Sequence, residues 1–310
     1  MTGYDELRQS AAWFDLSGRG KIRAYGEDRA RLLHAMTTNH VQQLNPGQGC
    51  YAYFLSAQGR ILGDVNIFCR EDDFLLDTEP ETRQKLYQHL DQFIIADDVT
   101  LDDLTEATAT IAVEGPAAAD VLQRAGSALP PAEPEGSWTA WGSRMVANVS
   151  YTGGTGLWVF APVEEKAAVI EELERAGAVA ADLEAANVVR LEHGRPRYGE
   201  DISDRYLAQE TNQSRALNFS KGCYLGQEIV ERVRSRGQLH RRLLPVMIDT
   251  DAPPAAGTKL QADGKDAAEI TSAALSPALG KTVALAYVRT GYKPGDRLSL
   301  GDVGAVVGGN

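Results

Sequence analysis

The chain has 310 residues, 43% of them hydrophobic and 24% charged, a globular composition that excludes a long disordered protein. Lys and Arg number 31 against 43 Asp and Glu, a net charge of −12, and a surface that repels phosphate argues against direct nucleic-acid binding. The length suggests two domains.

In chain order, residues 27–37 predict a helix with Leu32, Leu33 and Met36 on one face. NPGQG at 45–49 is turn chemistry. YAYFLS (51–56) and RILGDVNIFC (60–69) alternate as two strands of a hairpin around AQG. Residues 81–95 predict an amphipathic helix with Leu86, Leu90, Phe93 and Ile94 inward and Pro80 near its start. TATIAV (108–113) reads as a strand and 116–125 as a helix stopped by Gly126; 127–137, with three prolines, is a loop. Strands follow around Trp141 to Val149 and Gly156 to Phe160. A helix over 163–176 should bury Ile170 and Leu173 and cap at Gly177. The next runs from Asp182, a good N-cap, to His193 and ends at Gly194. After Gly237 short β-rich runs (LLPVMI, TVALAYV, RLSL, GAVV) separated by Gly, Pro and Asp predict a small antiparallel barrel or sandwich. The expected domains are 1–236, with two interleaved α/β subdomains, and 237–310.

Three cysteines (Cys50, Cys69, Cys223), none with CxxC spacing, argue for a reducing compartment and against a Cys-ligated cluster within the chain. The five histidines lack HExxH spacing, so no metal site is expected. The N-terminus MTGYDELRQS is polar and acidic, unlike a signal peptide, and no apolar run spans a membrane. A soluble, cytoplasmic protein is expected.

Three segments carry candidate chemistry. On the strand 60–69, alternation puts Ile61, Val65 and Ile67 on one face and Leu62, Asp64, Asn66 and Phe68 on the other. Polar side chains between apolar ones suit a pocket wall, or a partly solvated face. In RLEHGRPRYGEDIS (190–203), Glu192 ends a helix, where a carboxylate meets the negative end of the dipole. It needs a ligand donor pair or a salt bridge to Arg190, Arg195 or Arg197. In FSKGCYLGQEIVERVRSRG (219–237), Ile229, Val230 and Val233 form a helical stripe, and a helix start beside Lys221 suits an anion or a thiolate. Cys223 is either that thiolate or a buried small hydrophobe. Arg232, Arg234 and Arg236 either read a carboxylate tail or sit as solvated charges.

These segments, with GEDRARLLHAMTTNHVQQLNPGQGCYAYFLSAQGRILGD (26–64), YTGGTGLWVF (151–160) and KGCYLGQEIVER (221–232), resemble the folate-binding superfamily of the glycine-cleavage T-protein (aminomethyltransferase). KGCY-x-GQE resembles its YgfZ branch, and the run from Gln238 onward resembles the family's C-terminal barrel. The resemblance implies an α+β protein: a folate-binding body of mixed α/β subdomains around a central cavity, closed by an antiparallel β-barrel. It implies tetrahydrofolate, or a one-carbon derivative, as ligand. Glu192 would accept the parallel donor pair of the pterin, Tyr51 or Tyr198 would cover its faces, and Asp64 would act near the folate nitrogens. T-proteins carry two adjacent aspartates on that strand; here the pair reads Gly63-Asp64. The YgfZ branch implies maturation or repair of iron–sulfur proteins, and through them tRNA modification, with iron–sulfur proteins or their assembly factors as partners and Cys223 as the distinguishing thiol. The alternative is a folate-dependent aminomethyltransferase. A scaffold with folate as an allosteric or stored ligand is the third possibility.

Overall fold

The computed structural model describes residues 1–237 and 239–308, apart from the Arg236 side chain. Gln238 and that side chain, both part of the reading above, lie outside the described residues. Apolar alternation builds the first sheet. The chain enters through α1 (Tyr4–Gln9) and β1 (Ala12–Asp15), then β2 (Gly20–Tyr25), α2 (Arg29–Met36) and the hairpin β3 (Gly49–Leu55) and β4 (Ile61–Cys69). β5 (Asp73–Thr78), α3 (Arg83–Asp91) and β6 (Thr100–Asp103) follow. Five strands pair antiparallel in the order β3-β4-β5-β2-β6. One face carries Ala52, Phe54, Val65, Ile67 and Leu76 against Leu32, Leu33 and Met36 of α2 and Leu86 and Leu90 of α3.

The second sheet takes β1 from the N-terminus and its other strands from the middle of the chain. Its elements are β7 (Thr108–Glu114), α4 (Ala118–Arg124), β8 (Trp138–Trp141), β9 (Arg144–Ala147), β10 (Gly156–Pro162), α5 (Lys166–Arg175), β11 (Val179–Ala180) and α6 (Leu183–Glu192). The strand order is β11-β1-β7-β10-β9-β8, antiparallel except for the β1–β11 pair. One face packs on α4 and α5 through Val121, Leu122, Val169 and Leu173. The other carries Phe14, Ala112, Trp158 and Phe160, which meet Phe68 and Leu75 of the first sheet and Ala185 and Val189 of α6. Asp182 caps α6 as its sequence suggests, accepting from the Ala185 N–H at 2.7 Å.

α7 (Gln227–Arg236) leads to β12 (Arg241–Ile248), β13 (Lys259–Ala262), β14 (Lys265–Ser276), β15 (Lys281–Arg289), β16 (Arg297–Leu300) and β17 (Val303–Val307). These close into an antiparallel barrel in the order β12-β15-β14-β13-β16-β17, which leaves no open edge. The whole is the expected α+β architecture of mixed α/β body and closed β-barrel. The barrel docks on the body through buried Asp201, whose carboxylate accepts from Thr271 Oγ1 (2.6 Å), Ser272 Oγ (2.5 Å) and Arg190 Nη1 (2.6 Å). Tyr287 stacks on Tyr206 with ring centroids 3.7 Å apart.

Three local expectations are corrected. The helix expected over 81–95 ends at Asp91. Beyond it the Phe93 and Ile94 N–H groups bond back only three residues, to Leu90 and Asp91, and this tighter winding leaves Phe93 39% exposed. In α5 the buried pair is Val169 and Leu173, one turn apart; Ile170 is half-buried. In β4 a bulge shifts the register so that Tyr53 faces Asp64 but Leu55 faces Ile61. Ile61 therefore joins Tyr51, Tyr53 and Leu55, while Leu62 packs toward the helices with Val65 and Ile67. The longest barrel strand, β14, was not among the β-rich runs. It is alanine-rich and broken by a register shift between Ile270 and Ser272, so it lacks the branched alternation that marks a strand.

Candidate functional site

Where the two sheets face each other, β4 presents Asp64 and Asn66 to a cavity also lined by Tyr51, Arg19, Glu79, Tyr151, Trp158, Arg195, Arg197 and Arg215. Asp64 is 6% exposed. Its Oδ2 accepts from the Tyr51 hydroxyl at 2.8 Å, while its buried Oδ1 has no hydrogen-bond partner among the described residues. Burial lifts the Asp64 pKa to about 6, and the nearby Glu79 carboxylate adds to the lift; Arg19, the Tyr51 hydroxyl and Arg215 oppose it. Glu79 is itself clamped: Arg19 Nη1 bonds its Oε1, and Arg197 Nε donates to its Oε2 at 3.1 Å. Asn66 donates to Asp77 Oδ2 at 3.0 Å, and Asp77 also takes Arg19 Nη2 at 2.9 Å. The Arg19 guanidinium lies 5.0 Å from the Trp158 ring centroid.

Local sequence explains this wall. Gly63 faces the opposite side of the sheet, where an added Cβ would meet Leu86 Cδ1 of α3 at 2.9 Å. The neighbour of Asp64 thus points to the helices and not into the cavity. On the facing sheet, buried Glu114 anchors the Gly-rich run 151–156. It accepts from the Tyr151 N–H (2.6 Å), the Thr152 N–H (2.9 Å), Thr152 Oγ1 (2.5 Å), Ser150 Oγ (3.1 Å) and Trp158 Nε1 (3.0 Å). That holds Tyr151 and Trp158 in the wall. The space inside is about 40 Å³, room for a few waters, with Arg215 lying over Tyr51 at 3.8 Å from guanidinium carbon to ring centroid.

Of the residues singled out from sequence, the fold brings together Asp64, Tyr51 and Asn66. It places the others elsewhere. Glu192 is outside this cavity, on the far side of α6 from Arg190: its carboxylate takes Tyr4 OH (2.5 Å), Ser276 Oγ (2.6 Å) and Arg8 Nε (3.1 Å). The salt bridge is real, but its cation is Arg8 and not Arg190, Arg195 or Arg197. Arg8 and Tyr4 offset the unfavourable helix-end charge, and the carboxylate is already committed within the chain. Tyr198 is buried beside the cavity, and its hydroxyl donates to the Leu62 carbonyl at 2.9 Å. Arg232 is exposed on α7, away from Asp64. Cys223 is exposed, in contrast to the buried-hydrophobe alternative. Its neighbours are fixed. Lys221 Nζ donates to the carbonyls of His34, Thr37 and Asn39 at 2.5 to 2.8 Å, capping α2, and Tyr224 is buried. Gly226 has φ +83°, and a Cβ there would meet the Ser56 carbonyl oxygen at 2.6 Å.

Sequence reading missed Arg19, Glu79 and Arg215, and it gave Tyr151 and Trp158, within the quoted run 151–160, no role of their own. Arg195 and Arg197 sat in a quoted motif but were weighed only as partners of Glu192. For Arg19 and Arg215 no motif or period gives a signal. A wider cleft of about 530 Å³ lies on the barrel, lined by Glu210, Arg241, Lys259, Glu269 and Tyr287. There Arg241 Nε pairs with Glu210 Oε1 at 3.0 Å and Lys259 with Glu269, and no unpartnered buried polar atom lines it among the described residues. Size alone does not make it the reactive site.

Residues 3–221 match the model of the GCVT N-terminal domain, and residues 241–305 match that of the glycine cleavage T-protein C-terminal barrel domain. An aminomethyltransferase of Rubrobacter xylanophilus is 31% identical over 290 residues, covering 92% of this chain and 78% of that one. One from Geobacillus kaustophilus is 30% identical over 297 residues (92% and 81%). A putative chloroplastic transferase of Arabidopsis thaliana is 27% identical over 263 residues (83% and 60%). The solved glycine cleavage system aminomethyltransferase T from Bartonella henselae superposes with a TM-score of 0.88 over 99% of this chain and 87% of its own, at 22% identity, a likeness of fold. With both of its domains matched in order, the chain belongs to the glycine-cleavage T-protein family.

Proposed function

We propose that this protein carries out folate-dependent one-carbon transfer of the aminomethyltransferase type, with Asp64 as the reacting carboxylate. The observation that carries the reading is the buried, unpartnered Oδ1 of Asp64 facing the cavity. A buried acceptor without a partner costs free energy, so its persistence suits a ligand that supplies the missing donor. With its pKa near 6, Asp64 is ionised at neutral pH yet close enough to it to take up a proton. Tyr51 orients the carboxylate through Oδ2 and leaves Oδ1 to the ligand. Tetrahydrofolate, when bound, supplies the nitrogen that accepts the one-carbon unit. The residues present suit it: Asp64 Oδ1 accepts an N–H, and the Tyr51 and Tyr151 rings offer faces to a heterocycle. With about 40 Å³ of space, a ring of that size enters only when the side chains lining the cavity move apart. Loss of the second aspartate does not weigh against this chemistry, because position 63 faces α3. The relatives named as aminomethyltransferases support the same reading.

The test is ammonia release from an aminomethyl-loaded lipoyl carrier protein, with and without tetrahydrofolate, using protein whose folate binding has been confirmed. Folate-dependent release that Asp64→Asn abolishes is expected. A folate-binding wild type that releases none refutes the reading.

One observation favours a second function. Within KGCY-x-GQE the lysine, tyrosine and second glycine are locked, whereas Cys223 offers its side chain to solvent, as does Glu228 at the end of the run. That arrangement suits a thiol offered to a partner, as in an accessory factor for iron–sulfur proteins of the YgfZ type. The family matches do not distinguish this branch, which rests on that run alone. It predicts that Cys223→Ala keeps folate affinity but loses rescue of iron–sulfur enzyme activity in a deletion strain. Full rescue removes the thiol from the function.

A further inference from the structure

Five arginines line the Asp64 cavity, and their charges are not evenly matched. Arg19 faces Asp77 and Glu79; Arg190 faces Asp201 and Glu200; Arg197 faces Glu79, Glu81 and Glu200. Those three cations share five carboxylates. Arg195 and Arg215 share one, Glu135, and both guanidiniums reach the same oxygen: Arg195 Nη2 and Arg215 Nη1 each lie 2.6 Å from Glu135 Oε1. In a chain of net charge −12 these two cations have one ion-paired carboxylate between them, and the Asp64 charge acts on Arg215 only through space. Burial, and after it repulsion from Arg195, works against the charge on Arg215. Glu135 comes from the proline-rich loop 127–137, outside any helix or strand, and its side chain is 37% exposed.

We infer that Arg195 and Arg215 form the carboxylate-binding pair of this cavity, and that Glu135 is an internal stand-in which a ligand carboxylate displaces. The inference rests on the proposed folate-dependent reading of the same cavity and adds which part of the ligand these residues take. The resident Glu135 shows that the pair accepts a carboxylate; both guanidiniums meet at its one oxygen, and their remaining N–H groups leave donors for a second oxygen. A loop-borne carboxylate leaves at less cost than one on a strand, because its backbone forms no sheet ladder. Arg215 also stacks on Tyr51, whose hydroxyl holds Asp64, so the bound carboxylate lies one tyrosine ring from the reacting carboxyl. The carboxylate is either the glutamyl tail of the folate or a carboxylate on the amine that donates the one-carbon unit.

Binding is measured by titration calorimetry on full-length wild type, Arg215→Gln and Glu135→Gln. The probes are tetrahydropteroylglutamate against tetrahydropteroate, p-aminobenzoylglutamate against p-aminobenzamide, and N-methylglycine against methylamine. Arg215→Gln is expected to weaken a carboxylate probe about tenfold, the order of one charge-assisted hydrogen bond, and its uncharged counterpart less than twofold. Glu135→Gln is expected to tighten the same carboxylate probe, since it removes the competitor. The pattern with the two glutamate probes assigns the tail; the pattern with N-methylglycine alone assigns the amine. Equal weakening of charged and uncharged probes by Arg215→Gln overturns the inference, as does weakening by Glu135→Gln. Glu135 is a partly exposed loop residue, so its variant decides the matter even if Arg215→Gln misfolds. A wild type that takes p-aminobenzoylglutamate but no tetrahydrofolate refutes the folate reading and leaves the arginine pair standing.

Discussion

Asp64→Asn should stabilise the protein at alkaline pH while abolishing its chemistry. The folded-state pKa of Asp64 is about 6, against an ordinary value of 3.8. The folded chain therefore holds this proton more tightly than the unfolded chain. The contribution to stability is full below about pH 4 and is lost as pH rises through 6. A difference of about two pH units corresponds to about 3 kcal/mol, which the ionised wild type lacks at pH 8 relative to pH 4. Asparagine does not ionise and escapes this penalty, although its amide donors bring a desolvation cost of about 1 kcal/mol. The net gain at pH 8 is then about 2 kcal/mol, and the stability gap between variant and wild type widens by about 3 kcal/mol from pH 4 to pH 8. Urea unfolding of both proteins at pH 4, 6 and 8 measures the gap. Parallel pH–stability curves would refute the reasoning, because they would mean that Asp64 feels no net burial penalty and that its open oxygen is solvated.

Other consequences follow from neighbouring contacts. Tyr51→Phe removes the 2.8 Å donor to Asp64 Oδ2, and a hydrogen bond to a charged group is worth about 1.5–3 kcal/mol. The acidic limb of kcat/KM against pH should therefore move up by about one to two pH units. Glu114→Ala leaves the buried donors around Tyr151, Thr152 and Trp158 unmet, at about 1–3 kcal/mol for each one that water cannot reach. A loss of at least about 3 kcal/mol is expected on that basis, with a red shift of tryptophan emission on Trp158 exposure. Asp201→Ala removes the buried one of the two carboxylate partners of Arg190, which is 1% exposed, and cuts the hydroxyl contacts from β14. Leaving a buried charge wholly unpaired costs about 3–5 kcal/mol; with Glu200 retained a loss near the lower end, about 3 kcal/mol, is expected, and limited proteolysis should then cut between α7 and β12 in the variant but not in the wild type.

Residue periods decided much of this before any tertiary contact was known. Alternation on residues 60–69 already put Asp64 and Asn66 on one face, Asp182 announced the start of α6, and the β-rich runs after Gly237 announced an antiparallel barrel or sandwich, of which the structure has the barrel. These are local matters. A period of two or 3.6 residues fixes where a side chain points within its own element, and a cap needs only its next few neighbours. Local exceptions, such as the bulge that moves Ile61 to the tyrosine side, escape a strict period because one extra residue inverts it. What a carboxylate does is not local. Glu192 was expected to seek an arginine from its own segment and found Arg8, Tyr4 and Ser276, from the two ends of the chain. The surroundings of Asp64 come from Tyr51 on the neighbouring strand β3, from Glu79 just past β5 on the other side, and from Arg215 in a segment 151 residues further on. Burial and charge act through space, within a few ångströms. The sequence by itself therefore determined the elements and the faces they present, and only the tertiary structure decided which charges meet in the cavity and which are spent on holding it together.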